Sequence, residues 1–167
     1  MSYGVSCRFK DGKTYELEEA GRDGILVFKD AIFRAPFDEN GSNKWDKSSL
    51  KAKLEEWWKN YAPDELKEKY DVSLLAAEEV FDQEDLNYFY GSGSKTSVQL
   101  PLFANDWKAK IKRYKGRKTS CWWWLRSPCP WNSNDEALVS ADGSRDIDIA
   151  YSGYGCVPAL YPKGVRK

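Results

Sequence analysis

The first quarter of the chain alternates short apolar stretches with polar turns, and this pattern predicts strands. Residues 5–9 and 14–18 flank an Asp-Gly-Lys sequence at residues 11–13, which is typical of a β-hairpin turn. Residues 25–28, Ile-Leu-Val-Phe, predict a third strand because they form a short apolar run preceded by Asp-Gly. We therefore expect the N-terminal segment to be built from short antiparallel strands.

Helical periodicity follows in the middle of the chain. One helical face is predicted by apolar residues spaced by three or four positions: Leu50, Leu54, Trp57, Trp58 and Tyr61. Asp46 or Ser48 can cap the start of this helix. A second, more charged helix is predicted over residues 64–70 and a third over residues 83–90, with residues 74–81 forming a strand or turn between them.

Residues 121–128, Cys-Trp-Trp-Trp-Leu-Arg-Ser-Pro, predict a core strand that ends in a surface loop. In a strand, Trp122 and Trp124 point one way while Trp123 and Leu125 point the other, so both faces need burial. Arg126 closes the apolar run, and a guanidinium in that position must be hydrogen-bonded or paired with an acid. The carboxylate pairs at residues 78–79 and 84–85 supply candidate partners.

The last third predicts closely spaced strands and polar loops. Residues 129–136 form a polar loop by composition, and residues 137–141 and 147–151 predict two strands around an Asp-Gly turn. A final apolar segment covers residues 156–161. Loops of this kind can vary in sequence without unfolding a rigid core.

Composition narrows the classes of function. The chain has 167 residues, which suits a single domain, and its formal net charge is zero, so no global charge draws it to nucleic acid or membrane. It has no histidine, which removes the commonest general base and the usual catalytic zinc ligands. The four cysteines lack metal-site spacing. No long apolar run and no leader over residues 1–10 are seen, so we expect no membrane insertion and a location in the cytoplasm, or else in a phage particle or the cytosol of its host.

The C-terminal third also carries short motifs in a fixed order. Trp-Trp-Leu-Arg-Ser-Pro at residues 123–128 precedes Ala-Leu-Val at 137–139, Asp-Gly at 142–143 and Gly-Cys-Val-Pro-Ala-Leu at 155–160. Together these motifs resemble a bacterial and phage family, common in Firmicutes, whose members end in a WWLRSP…A-x-V…G…GVRPAL pattern. The resemblance covers roughly residues 20–161. The chain departs from the pattern at Val157, where the family has an arginine.

This resemblance implies a fold and a function. It implies a single α+β domain over residues 1–167 with a C-type-lectin-like (formylglycine-generating-enzyme-like) fold, short antiparallel strands, two to three helices and long loops. Some relatives are variable proteins of diversity-generating retroelements, in which mutagenesis rewrites the codons corresponding to residues 127–155. A non-catalytic protein that binds a protein or another macromolecule through its C-terminal loops is therefore expected, with no cofactor and no metal.

The predicted ligand-binding residues mix rigid aromatic rings with adaptable polar groups, as recognition surfaces do. They are Trp131, Asn132, Asn134, Asp135, Glu136, Ser144, Arg145, Asp146, Asp148, Tyr151 and Tyr154. The alternate oxygen-bearing residues over 142–148 lack the glycine and distal glutamate of a calcium loop, so a solvated strand face is the favoured interpretation. Formylglycine-generating enzymes hold copper with a pair of cysteines near their C-terminus. The C-terminal cysteines of this chain match that pair in residue type but not in motif.

A second hypothesis rests on a basic stretch interleaved with aromatic residues at 107–118. Its candidate nucleic-acid-binding residues are Lys108, Lys110, Lys112, Arg113, Lys115, Arg117 and Lys118. In this alternative the chain is a phage or mobile-element protein, for example a counter-defence inhibitor, that binds a host nucleic acid or nucleoprotein complex. A solvated face balanced by acidic segments is the plainer interpretation of such a charge run.

Overall fold

Strands supply most of the regular structure in residues 4–165, the part of the chain that the computed structural model describes; the ends of the predicted domain, residues 1–3 and 166–167, lie outside it. The strands are β1 (Gly4–Arg8), β2 (Thr14–Glu19), β3 (Leu26–Phe28), β4 (Phe33–Pro36), β5 (Tyr70–Ser73), β6 (Lys112–Arg113), β7 (Ser120–Cys121), β8 (Trp123–Pro128), β9 (Asp135–Val139), β10 (Arg145–Ile149), β11 (Gly153–Cys156) and β12 (Ala159–Pro162). The helices are α1 (Ser49–Tyr61), α2 (Asp64–Lys69), α3 (Ala77–Val80), α4 (Gln83–Tyr90) and α5 (Pro101–Asn105), with single 3-10 turns at Trp45–Lys47 and Trp107–Lys110.

Two five-stranded sheets organise these elements. The first has the order β1-β2-β3-β12-β5, and the second has the order β10-β9-β8-β11-β4. Neighbouring strands are antiparallel except for the pair β8 and β11. Each sheet joins strands from both ends of the chain, since β12 pairs with β3 and β11 pairs with β4. The chain is therefore one α+β domain with mostly antiparallel strands, as predicted, although only α1 and α4 among the helices of residues 4–165 reach eight residues.

The main helix forms where the apolar periodicity predicts it. The Ser48 hydroxyl accepts the amide hydrogen bond of Lys51 at 3.1 Å, which satisfies one free N–H of the first turn. Leu50, Leu54 and Trp58 are buried on the inward face. Of the two predicted caps, Ser48 is the one used.

The tryptophan strand is buried on both faces, with one exception. Trp123, Trp124 and Leu125 are fully buried. Trp122 was predicted to lie inside with Trp124, and this is wrong, because β8 begins one residue later and the Trp122 side chain is 46% exposed. The Trp122 ring instead packs edge-on against Tyr154, with ring centroids 5.7 Å apart.

Arg126 finds its partner on α3. Its Nη2 donates to the Glu79 carboxylate at 3.1 Å, and its Nε donates to the Leu74 carbonyl at 3.0 Å. Glu79 Oε1 also accepts hydrogen bonds from the Ala76 amide and the Tyr161 hydroxyl. The prediction of an acidic partner from one of the two carboxylate pairs is confirmed, and it is Glu79.

The same network explains a missed helix. Residues 74–81 were predicted as a strand or turn, but β5 comes before them and α3 lies within them. The free amides at the start of α3 are satisfied by the Glu79 carboxylate and by the Ser127 hydroxyl, which accepts from Ala77 at 2.8 Å. Because Ser127 is 50 residues away along the chain, local sequence carries no sign of this cap.

Candidate binding surface

One end of the second sheet gathers three segments that are distant in sequence. Pro128 of β8 lies opposite Glu136 of β9, and Ile149 of β10 lies opposite Asp135. This antiparallel register places the loop 129–134 and the turn 150–152 at the same edge, where the Ala150 amide donates to the Asn134 carbonyl at 2.7 Å. Together with residues 38–45, described next, they form what we call the loop-end surface.

Asn43 and Asp38 fix the third segment to the other two. The buried side-chain Nδ2 of Asn43 lies 3.2, 2.9 and 3.0 Å from the carbonyl oxygens of Cys129, Asn132 and Asp135. The backbone N–H of Asn43 donates to the Ser133 carbonyl. The Asp38 amide likewise donates to the Ala150 carbonyl at 3.0 Å. These bonds hold the loop backbone in one shape. Sequence reasoning missed Asn43, since a lone asparagine in a polar loop gives no signal of such a role.

Two large aromatic rings protrude from these fixed segments. Trp131 is 65% exposed and Tyr151 is 59% exposed. The Tyr151 ring lies beside Gly41, because a methyl group added at Gly41 would stand 3.7 Å from the ring. The predicted residues Trp131 and Tyr151 therefore share one surface.

The polar members of the predicted set shape the same loop. The Asn132 side chain accepts from the Asn134 amide at 2.9 Å and donates to the Asp135 carboxylate at 3.1 Å. Such side-chain turns pre-order a loop. Asn132 and Asn134 remain exposed, whereas Asp135 is half-buried at the start of β9.

Asp148 and Tyr154 form a pair on the second sheet. The Tyr154 hydroxyl donates to the Asp148 carboxylate, and the ring contacts Trp122 and Trp124 edge-on. Burial and the acceptor Asp148 raise the pKa of Tyr154 to about 12. Both side chains are half-buried, so they support the surface more than they extend it.

Three predicted residues lie elsewhere. Ser144, Arg145 and Asp146 are at the opposite end of β10, roughly 14 Å away at about 3.4 Å per strand residue. Arg145 binds Asp85 and stacks on Tyr88 of α4, 3.8 Å from the ring centroid. The prediction that all these residues form one surface is corrected by the length of the strand between them.

The turn before β10 is a self-contained hydrogen-bonded unit. The Asp142 carboxylate accepts from the Ser144 hydroxyl, the Ser144 amide and the Ser140 hydroxyl, which lowers the pKa of Asp142 to about 2. Among residues 4–165, no three side chains of cysteine, aspartate or glutamate converge in a way that could hold a metal ion.

Glu136 is not a surface residue, which corrects its place in the predicted set. Its side chain is fully buried, and neither carboxylate oxygen has a hydrogen-bond partner within the described residues. Burial first, and then the neighbouring Cys129, raise the pKa of Glu136 to about 11, so the group is protonated at neutral pH. Burial first, and then the charge of Glu78, raise the pKa of Tyr90.

The basic stretch does not form one continuous surface. Lys112 was predicted to bind nucleic acid, but its side chain is 1% exposed and donates to the Phe28 carbonyl at 2.9 Å and to Glu18 at 3.3 Å. Burial lowers the pKa of Lys112. Lys110 lies over the Phe81 ring, and Lys115 donates to the Thr14 carbonyl.

The remaining cations of this stretch are solvent-exposed. They are Lys108, Arg113, Arg117 and Lys118. Their side chains make no hydrogen bond or ion pair with residues 4–165. Lys108 and Arg113 line one pocket, whereas Arg117 and Lys118 line another.

Comparison with known sequences gives one family match. A family model described as a domain of unknown function (DUF6273) matches residues 69–163, which is more than half of the chain and runs from the end of α2 to just beyond β12. Neither the curated proteins nor the solved structures gave a match. No helix between residues 4 and 165 is long and apolar enough to cross a membrane.

Proposed function

The chain belongs to the DUF6273 family, and we propose that it is a non-catalytic binding protein that recognises another macromolecule through the loop-end surface. The observation that carries this proposal is the exposure of Trp131 and Tyr151 on segments that hydrogen bonds of Asn43 and Asp38 hold in place. Aromatic rings on a rigid backbone lose little conformational freedom on binding, which is why they anchor recognition surfaces.

The two rings supply a useful share of binding free energy. Covering both removes on the order of 200 Å² of apolar surface from water. At about 25 cal/mol per Å², this contributes about 5 kcal/mol before the cost of association. Asn132 and Asn134, exposed beside Trp131, offer amide groups that can add hydrogen bonds and selectivity.

The finer assignment of the fold is also a proposal. We place the chain among proteins with a C-type-lectin-like fold that resemble the variable proteins of diversity-generating retroelements. In support, the motif strand β8 is buried, whereas the loop and turn that follow it lie on the surface. Sequencing the gene across a population tests this proposal: substitutions confined to residues 128–154, at adenines of a near-copy beside a reverse transcriptase, are expected, and a fixed segment without such a template argues against it.

Capture experiments with matched variants test binding itself. The variant Trp131→Ala/Tyr151→Ala removes both rings of the loop-end surface. The control Tyr88→Ala/Trp107→Ala removes two rings that are 71% and 59% exposed at other places. We expect macromolecules captured by the unaltered protein to be lost with the first variant and kept with the control. Equal capture by all three proteins, each with an unchanged melting temperature, contradicts the proposal.

The nucleic-acid alternative needs a different set of residues from the one predicted. Charge reversal at Lys112 would disrupt the core, because that ammonium group is buried against Glu18. A valid test must use exposed cations only. The exposed cations line two separate pockets and do not form the continuous groove that the sequence suggested.

A further inference from the structure

A concave site lies between the start of β4 and the connection from β6 to β7. We call it the basic cleft; residues 31–34 form one wall and residues 114–120 form most of the other. Backbone hydrogen bonds join the walls, since the Ala31 amide donates to Arg113 and the Lys115 amide donates to Ala31 at 2.9 Å. Its volume of about 720 Å³ falls in the range of small-molecule sites.

The charge of the basic cleft is one-sided. Its lining includes four cations, Arg34, Lys115, Arg117 and Lys118, and none of its lining residues in the described part of the chain carries a carboxylate. This local excess occurs in a protein whose formal net charge is zero. Asp30, which precedes the cleft in sequence, lines a separate pocket with Lys108 and Arg113.

Three of the four cations have terminal nitrogens that bind no other residue in the described structure. Arg34 uses its Nε to donate to the Gly153 carbonyl at 2.9 Å, which orients the guanidinium. Its Nη groups and the side chains of Arg117 and Lys118 have no hydrogen bond or ion pair within residues 4–165. An arginine held at one nitrogen presents its remaining N–H groups in a fixed fork, which suits a phosphate.

The walls also offer aromatic and hydroxyl groups. Tyr114 is half-buried in the cleft, and burial and the nearby Cys121 raise its pKa while Arg34 opposes that shift. Phe33 lies on the opposite wall, and Thr119 and Ser120 contribute hydroxyl groups. Rings beside cations are the combination that binds a nucleotide base together with its phosphate.

We propose that the basic cleft binds a nucleotide, either free or as part of a single strand, independently of the loop-end surface. The phosphate would be held by Arg34, Arg117 and Lys118, and the base would lie against Tyr114. Arg34 was not among the predicted nucleic-acid-binding residues, since it is far from the basic stretch in sequence.

Fluorescence anisotropy tests this proposal with labelled ADP and a labelled short oligothymidine as probes. The variant Arg117→Ala/Lys118→Ala removes two free cations of the cleft. The control Lys108→Ala/Arg113→Ala also removes two positive charges from the basic stretch, but at the separate pocket that Asp30 lines. We expect at least a tenfold loss of affinity, about what one charge-assisted hydrogen bond supplies, in the first variant and less than about twofold in the control.

The outcomes separate the sources of the nucleotide. Binding of ADP as tight as that of the strand assigns the cleft to a free nucleotide, whereas tighter, steeply salt-dependent binding of the strand assigns it to nucleic acid. Competition by inorganic phosphate as strong as by unlabelled ADP would overturn recognition of the base. Equal losses in both variants, or no binding of either probe at millimolar concentration, overturn the proposal as a whole.

Discussion

Replacing the buried Glu136 by glutamine should stabilise the protein at neutral pH. The carboxyl group is fully buried without a hydrogen-bond partner in the described structure, and its pKa is raised to about 11 from an unfolded value of 4.5. At neutral pH the native state therefore holds a proton that the unfolded chain releases. Glutamine has nearly the same shape and never ionises, so Glu136→Gln removes this proton uptake and leaves the packing intact.

The magnitude follows from linkage between folding and proton binding. Because the folded pKa is raised, the stability contributed by the group is complete below pH 4.5 and is lost as the pH rises towards the folded value. Each pH unit costs about 1.4 kcal/mol, so the interval from 4.5 to neutral pH amounts to about 3 kcal/mol. We expect Glu136→Gln to match the unaltered protein near pH 4 and to exceed it by about 3 kcal/mol near pH 7.

Urea unfolding at several pH values measures this difference directly. Other titrating groups contribute equally to both proteins and cancel in the comparison. Asp146→Asn is the matched control, because this exposed acid lies on the neighbouring strand β10. The pH-dependent gain of about 3 kcal/mol is expected for Glu136→Gln alone. If the difference between Glu136→Gln and the unaltered protein is constant from about pH 5 to about pH 8, Glu136 is ionised in the native state and the reasoning fails.

Three further substitutions test the scaffold by thermal or urea unfolding. Glu79→Gln leaves the Arg126 guanidinium without its carboxylate and should cost about 3 kcal/mol; a loss under about 1 kcal/mol would show that the pair is dispensable. Asn43→Ala should cost about 2 kcal/mol and speed hydrogen exchange on the loop-end surface, whereas unchanged exchange there would remove its role as a clamp. Gly155→Ala should cost about 1–3 kcal/mol, because a new Cβ would stand 3.0 Å from the Cβ of Ala31. A neutral effect would mean that β11 and the backbone at Ala31 can move apart freely.

Local sequence was sufficient where one element carries its own signals. Gln83–Tyr90 is helical as predicted, and Asp82 caps it by accepting from Asp85 at 2.9 Å. In the main helix α1, the cap Ser48 likewise lies directly before the buried residues Leu50, Leu54 and Trp58. These features depend on residues three or four positions apart, which a pattern along the chain can show.

Residues whose environment is assembled from distant segments could not be placed in this way. Glu136 and Lys112 are charged residue types in polar stretches, and only the packing of the sheets decides that both are buried. Asn43 contacts residues 86 to 92 positions away, and Arg34 reaches the basic cleft only because β4 joins the second sheet. Residue type suggested binding, but topology decided which residues share a surface.

Site-specific photo-crosslinking tests the central claim of binding through the loop-end surface most directly. A benzophenone amino acid replaces Trp131 in one protein and the similarly exposed Trp107 in another, and each is irradiated in the cell that produces it. We predict a discrete covalent adduct with a macromolecule from position 131 and none from position 107. Adducts of equal yield from both positions, or from position 107 alone, would contradict recognition through the loop-end surface.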